Sequence, residues 1–149
     1  MAGIEGEITI RRTVDTVFDY VADLTNELQY NSRMIRAEKV GTAPIGEGTR
    51  FRSAVRSGWR TAEMVTEITD YDRPRLLASA TTMAQADIHY MLRFEPVPAG
   101  THMSWSGQVS AKGALGRLGP LITWLGRRQE QRIWLSLKKN LEDGPAGEP

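Results

Sequence analysis

A chain of 149 residues, 40% of them hydrophobic, is long enough to bury one core, and one domain is expected. Nineteen Lys and Arg against eighteen Asp and Glu leave a net charge of +1, so no global field attracts nucleic acid and none is expected as a partner. The absence of Cys excludes disulfides, thiolate chemistry and Cys metal sites. No stretch approaches about 18 consecutive apolar residues and no basic segment precedes an apolar run after Met1, so a cytoplasmic protein is expected.

In chain order, Ile4, Gly6, Ile8 and Ile10 alternate with Glu5, Glu7 and Thr9, the period of a strand with one buried face. Thr13 suits an N-cap, and Val14, Val17, Phe18, Val21 and Ala22 follow helical spacing. A second short helix, from Thr25 as its cap to Tyr30, is expected next, the pair forming a V-shaped insert that closes one end of a sheet. Asp15, Asp19, Asp23 and Glu27 recur at four-residue steps with no Lys or Arg among them; they read as a solvated acidic face or a docking face.

From Met34 the period changes to two. Ile35 and Ala37 alternate with Arg36 and Glu38, and the segment Thr42 to Gly48 is rich in turn residues. Phe51, Ser53 and Val55 then oppose Arg50, Arg52 and Arg56, and Ala62, Met64, Thr66 and Ile68 oppose Glu63, Val65 and Glu67, which puts the charged sets on the wet side. The strand from Arg75 to Met83 does not alternate, so its inner face is unassigned. Ile88, Tyr90, Leu92 and Phe94 face inward opposite Asp87, His89, Met91 and Arg93, and after the loop 96–100 Met103, Trp105, Gly107 and Val109 share one face.

The last element is a helix from about Gly119 to Glu142. Leu118, Leu121, Ile122, Leu125, Gln129, Ile133 and Leu137 form its apolar stripe, with Pro120 in the first turn and Gly144-Pro145 as the stop. Trp124 and Trp134 fall beside that stripe near Arg127, Arg128, Arg132 and Lys138. Between Lys112 and Lys139 stand seven basic residues and one acid, Glu130. Such a helix can cover core with its arginine stems, or meet a partner or anionic membrane.

The order, strand, two short helices, about six further strands and one long helix, predicts an α+β fold: a curved antiparallel meander of about seven strands wrapped around the C-terminal helix. A sheet of that curvature has more inner surface than one helix fills, so an internal cavity is expected. Its expected lining is Tyr30, Phe51, Ser53, Val55, Met64, Thr66, Ile88, Tyr90, Leu92, Met103, Trp105, Leu125, Gln129 and Ile133. Gln129 is a polar residue within the apolar stripe, and its amide needs a partner from the sheet, water or a ligand.

The runs Val17-Phe18-Asp19-Tyr20-Val21-Ala22-Asp23, Tyr30-Asn31, Ala37-Glu38-Lys39-Val40, Gly46-Glu47-Gly48-Thr49-Arg50-Phe51, Val65-Thr66-Glu67 before Pro74, Phe94-Glu95-Pro96 with Gly100-Thr101, and Leu137-Lys138-Lys139-Asn140-Leu141-Glu142 resemble, in this order, the polyketide cyclase/dehydrase-like branch of the START or SRPBCC superfamily. The resemblance, over about residues 4–142, implies the helix-grip fold and a hydrophobic pocket between sheet and last helix; a single domain over 1–142 and a flexible tail at 143–149 are expected. It implies no single activity, since the superfamily spans carriers, receptors and cyclases.

Neither histidine suits a base or metal ligand, because His89 and His102 have outward parity; no metal, phosphate-loop or nucleophile-elbow motif is present, and no cofactor is expected. Tyr90, inward on a well-defined strand, is the candidate acid or hydrogen-bond donor for a cyclase or dehydratase. With no convergent set of titratable groups visible, the favoured function is non-enzymatic binding or carriage of a lipid-like or polyketide-like molecule by a monomer or homodimer. The alternatives are that enzyme and a protein-interaction module acting through the basic helix at Arg128 and Arg132.

Overall fold

The computed structural model describes residues 2–57, 59–84, 86–111 and 119–143; the side chains of residues 2, 57, 111 and 119–129 are outside that description. β1 (Ala2–Ile10) is followed by α1 (Val14–Ala22), a 3-10 turn (Leu24–Asn26) and α2 (Glu27–Tyr30). Then come β2 (Met34–Lys39), β3 (Arg50–Ser57), β4 (Arg60–Asp72), β5 (Leu76–Met83), β6 (Ala86–Val97) and β7 (Gly100–Ala111), and last α3 (Gly119–Asp143). The strands form a seven-stranded antiparallel sheet in the order β1-β7-β6-β5-β4-β3-β2. Every connection from β2 to β7 is a hairpin, and β1 closes onto the last strand, which brings the start of the chain beside α3. This is the helix-grip arrangement that the element order and the resemblance led us to expect.

Thr13 caps α1 by accepting from the Thr16 N–H. Val17, Phe18, Val21 and Ala22, on one side of α1, are buried, and Phe18 meets Tyr71 and Phe94 edge-on at centroid distances of 5.3 and 5.1 Å. Asp23, not Thr25, caps the next turn: its carboxylate accepts from both the Thr25 N–H and hydroxyl, at 3.1 and 2.6 Å. That cap breaks the chain direction, so the four acids do not share a face. Asp19 forms a two-pronged ion pair with Arg73 at 2.7 Å, Asp23 is a cap, and Glu27 belongs to α2.

In β2 the register shifts between Met34 and Arg36. The bulge leaves Ile35 exposed, contrary to the alternation read from sequence, and turns Met34 to the inner side. On the outer face Arg36 pairs with Glu63 at 2.6 Å and Arg50 with Glu67 at 2.9 Å, as the strand parities of β3 and β4 require.

α3 has 25 residues, about 37 Å at 1.5 Å per residue, and its C-terminal half is tied to the N-terminal strand. Leu137 and Leu141 are fully buried. Lys138 Nζ donates to the Thr9 carbonyl at 2.5 Å, Arg11 N–H to the Glu142 carboxylate at 2.9 Å, and the Arg12 guanidinium to the Glu142 carbonyl at 2.7 Å. The Arg12 bond satisfies a last-turn carbonyl that has no partner inside the helix. Trp134, read from sequence as flanking the stripe, is only 6% exposed and faces the sheet. The inward face holds Trp134, Leu137 and Leu141 together with Ile133, so it is wider than the Gln129, Ile133, Leu137 row and takes in Trp134 beside it; of Gln129 and Leu125 only the helical backbone is described. Among the described residues no helix is long and apolar enough to cross a membrane.

Candidate functional site

Between the inner face of the sheet, α2 and α3 lies a cavity of about 320 Å³. That volume matches about ten waters at roughly 30 Å³ each, near the lower limit of ligand pockets. Ser53, Val55, Met64, Thr66 and Ile68 from β3 and β4 form one wall. Leu77, Ser79, Thr81 and Met83 supply the β5 wall, which assigns the inner face that the sequence left open. Ile88, Tyr90 and Leu92 of β6, Gly107 and Val109 of β7, and Ile4 of β1 complete the sheet side. Val21, Leu24, Glu27, Tyr30, Asn31 and Met34 close one end, and Glu130, Ile133 and Trp134 descend from α3. Most of this lining is apolar; Thr66 and Thr81 satisfy each other through a 2.7 Å hydroxyl contact.

The titratable groups of the lining gather where α2 and α3 meet over β6. Tyr90 donates its hydroxyl proton to Glu130 Oε2 at 2.5 Å, and the Trp134 indole N–H donates to the Tyr90 oxygen at 3.1 Å. A helix places Glu130 and Trp134 one turn apart on one face, which is why both reach a single tyrosine. Gly107 gives the Tyr90 ring its place: a Cβ there would lie 3.0 Å from two ring atoms. On the next diagonal, a Cβ on Gly6 would come within 2.5 Å of the Trp105 ring, and Trp105 in turn packs on Trp134 with centroids 5.6 Å apart. Tyr30 stacks on the same indole at 6.3 Å.

Burial dominates the electrostatics of this end. It pushes the Glu27 carboxyl up to about 7; the Asn31 amide, donating at 3.2 Å, opposes the rise and the charge of Glu130 adds to it. Burial also raises Glu130, against the stabilising bonds of Tyr90 and Trp134. Tyr90 is driven far upward, first by burial and then by the adjacent Glu130 charge, so its phenol remains protonated. Tyr30 moves the same way, through burial and the charge of Glu27. The site therefore holds a neutral phenol as a fixed donor and two carboxyl groups that resist ionisation. One of them exchanges its proton near neutral pH.

Of the residues expected to line the cavity, Tyr30, Ser53, Val55, Met64, Thr66, Ile88, Tyr90, Leu92 and Ile133 do so. Phe51, Met103 and Trp105 do not: the first two are fully buried in the solid core with Phe18, Leu137 and Leu141, and Trp105 is packed behind Trp134. Strand parity reports the face of a sheet but not which inward side chains meet neighbours, and around Phe51 and Met103 the interior is filled. The side chains of Leu125 and Gln129 lie outside the described residues. Glu27, Glu130 and Trp134 were missed. The signal for two of them was present, because Glu130, Trp134, Leu137 and Leu141 follow four- and three-residue steps as regular as those of the stripe chosen instead. His89 is exposed and His102 lies 3.7 Å from Glu7 on the outer face. Among the described residues no group of three or more His, Cys, Asp or Glu is placed to hold a metal ion.

Three solved structures illustrate what this fold resembles. A START superfamily protein from Mycobacterium smegmatis superposes with a TM-score of 0.83 at 12% identity, covering 96% of this chain and 99% of that one. A Thermus thermophilus protein, TTHA0849, gives 0.79 at 16% identity over 92% and 94%. The ZhuI aromatase/cyclase from Streptomyces sp. R1128 gives 0.78 at 14% identity over 93% and 92%. At such identities the likeness is one of fold. No curated protein matches the sequence. The model of the family described as polyketide cyclase / dehydrase and lipid transport matches residues 1–142, and the chain belongs to that family.

Proposed function

We propose that the protein binds and carries a hydrophobic small molecule, lipid-like or polyketide-like, in the cavity between the sheet and α3. The observation that supports this most directly is the cavity itself: about 320 Å³ bounded mainly by apolar side chains, with the carboxyl groups Glu27 and Glu130 gathered at one end. Close packing is the norm in protein interiors, so a space of this size under a long helix is a feature the fold maintains. The test is native mass spectrometry of the purified protein followed by denaturing extraction. A retained apolar molecule is the expected result, and Ser53→Leu with Ser79→Leu, which grow into the cavity from two walls, should release it. An empty protein that also takes up no fatty acid or polycyclic dye would overturn the proposal.

A cyclase or dehydratase is the second reading, favoured by the Tyr90, Glu130 and Glu27 constellation. Here the roles differ from those read from sequence. Tyr90 gives its one hydroxyl proton to Glu130, so in this reading it polarises a carbonyl oxygen by exchanging that bond for one to the substrate. Glu27, poised near neutrality, is the better base for a proton next to that carbonyl. In this reading Tyr90→Phe and Glu27→Gln each abolish turnover of a poly-β-keto substrate while binding persists; undiminished turnover by both variants would refute it.

A further inference from the structure

The described wall of the cavity carries two carboxyl groups, Glu27 and Glu130, and no Lys, Arg or His. Glu130 takes hydrogen bonding from Tyr90, but Glu27 has a single described donor, the Asn31 amide at 3.2 Å. A partly buried carboxylate with so little compensation is costly to ionise, and a cation brought beside it removes that cost. The rings of Tyr30, Tyr90 and Trp134 border the same end, Tyr30 and Tyr90 each with its centroid 6.3 Å from that of Trp134, and aromatic rings beside a desolvated cation stabilise it. A ligand ending in a carboxylate or phosphate would instead add a third acidic group, with no described cation in the lining to pair with it.

From this juxtaposition we infer that the polar end of the cavity receives the protonated nitrogen of a primary or secondary amine, whose apolar body fills the space under α3. This rests on the proposal that the cavity binds a hydrophobic molecule and adds the chemistry of the head. The N–H groups matter as well as the charge, because both carboxyl groups are hydrogen-bond acceptors when ionised. Quaternary ammonium compounds supply charge without donors and fit less well.

The test uses four probes of one chain length, decylamine, decyltrimethylammonium, decanol and decanoate, titrated calorimetrically into the full-length protein below their micellar concentrations. Decylamine is expected to bind at least tenfold more tightly than decanoate and several-fold more tightly than decyltrimethylammonium. Glu27→Gln, which keeps the shape of the side chain, should weaken decylamine at least tenfold and leave decanol within about twofold; Glu130→Gln should act in the same direction. Decanoate binding as tightly as decylamine, or decylamine binding unchanged in Glu27→Gln, overturns the amine assignment while decanol binding keeps the carrier proposal standing. If none of the four probes binds and no dye enters, both fall together.

Discussion

Glu27 makes stability fall as pH rises, and replacing it should reverse that trend. The carboxyl titrates at about 7 in the folded chain against an ordinary 4.5, so between those values the folded state holds a proton that the unfolded state has released. Stability is then greatest below about pH 4.5 with respect to this group, declines from there, and levels off once pH exceeds about 7. Each pKa unit corresponds to about 1.4 kcal/mol, which makes the full effect about 3 kcal/mol. Because the side chain borders a cavity that admits water, a measured change of about 1–3 kcal/mol is expected. Glu27→Gln keeps the bond with Asn31 within reach and cannot ionise. Urea unfolding of both proteins at pH 5 and pH 8 should therefore find the variant more stable than the native chain at pH 8 and close to it at pH 5. Parallel pH profiles, with no gain for the variant at pH 8, would show that the carboxyl is solvated in the folded state and would refute the reasoning.

Other perturbations test the surrounding frame. Trp134→Phe removes the indole donor to Tyr90 and part of the contact with Trp105, and a loss of about 1–3 kcal/mol in chemical denaturation is expected. Gly6→Ala drives a Cβ against the Trp105 ring at 2.5 Å; overpacking of this kind costs about 1–3 kcal/mol, and the near-ultraviolet dichroism of the tryptophans should change with it. Glu142 shows the opposite pH sign to Glu27. Burial alone would raise its pKa, but hydrogen bonds from the Arg11 N–H, Lys138 and the Arg11 guanidinium outweigh it and hold the carboxyl below its ordinary value. Glu142→Gln should thus lower the melting temperature at pH 7, and the difference from the native chain should close as pH falls through the carboxylate range; a gap that persists under acid would sink this account.

Sequence by itself determined what depends on neighbours along the chain. Period-two alternation fixed which way Ile88, Tyr90 and Leu92 face and put Glu63 and Glu67 on the wet side, because successive side chains of a strand must point to opposite faces. Thr13 capping α1 and the run of hairpins from β2 to β7 follow from equally local rules, and together they specify the helix-grip fold. Tertiary structure decided the rest. Which inward side chains meet packed neighbours depends on where Leu137, Leu141 and the other long-range partners come to lie, and so Phe51 and Met103 are core while Ser53 and Ile88 line the cavity. The seating of α3 against the sheet, with Lys138 and Glu142 bonded to the end of β1 and the residues just after it, brings Glu130 and Trp134 inward beside Ile133. Glu27 joined them only because the Asp23 cap redirects the chain between α1 and α2. Two acids that look like surface charges in sequence, 103 residues apart, thus become neighbours in one cavity, since helix rotation and inter-helix placement are long-range packing outcomes that local periodicity does not encode.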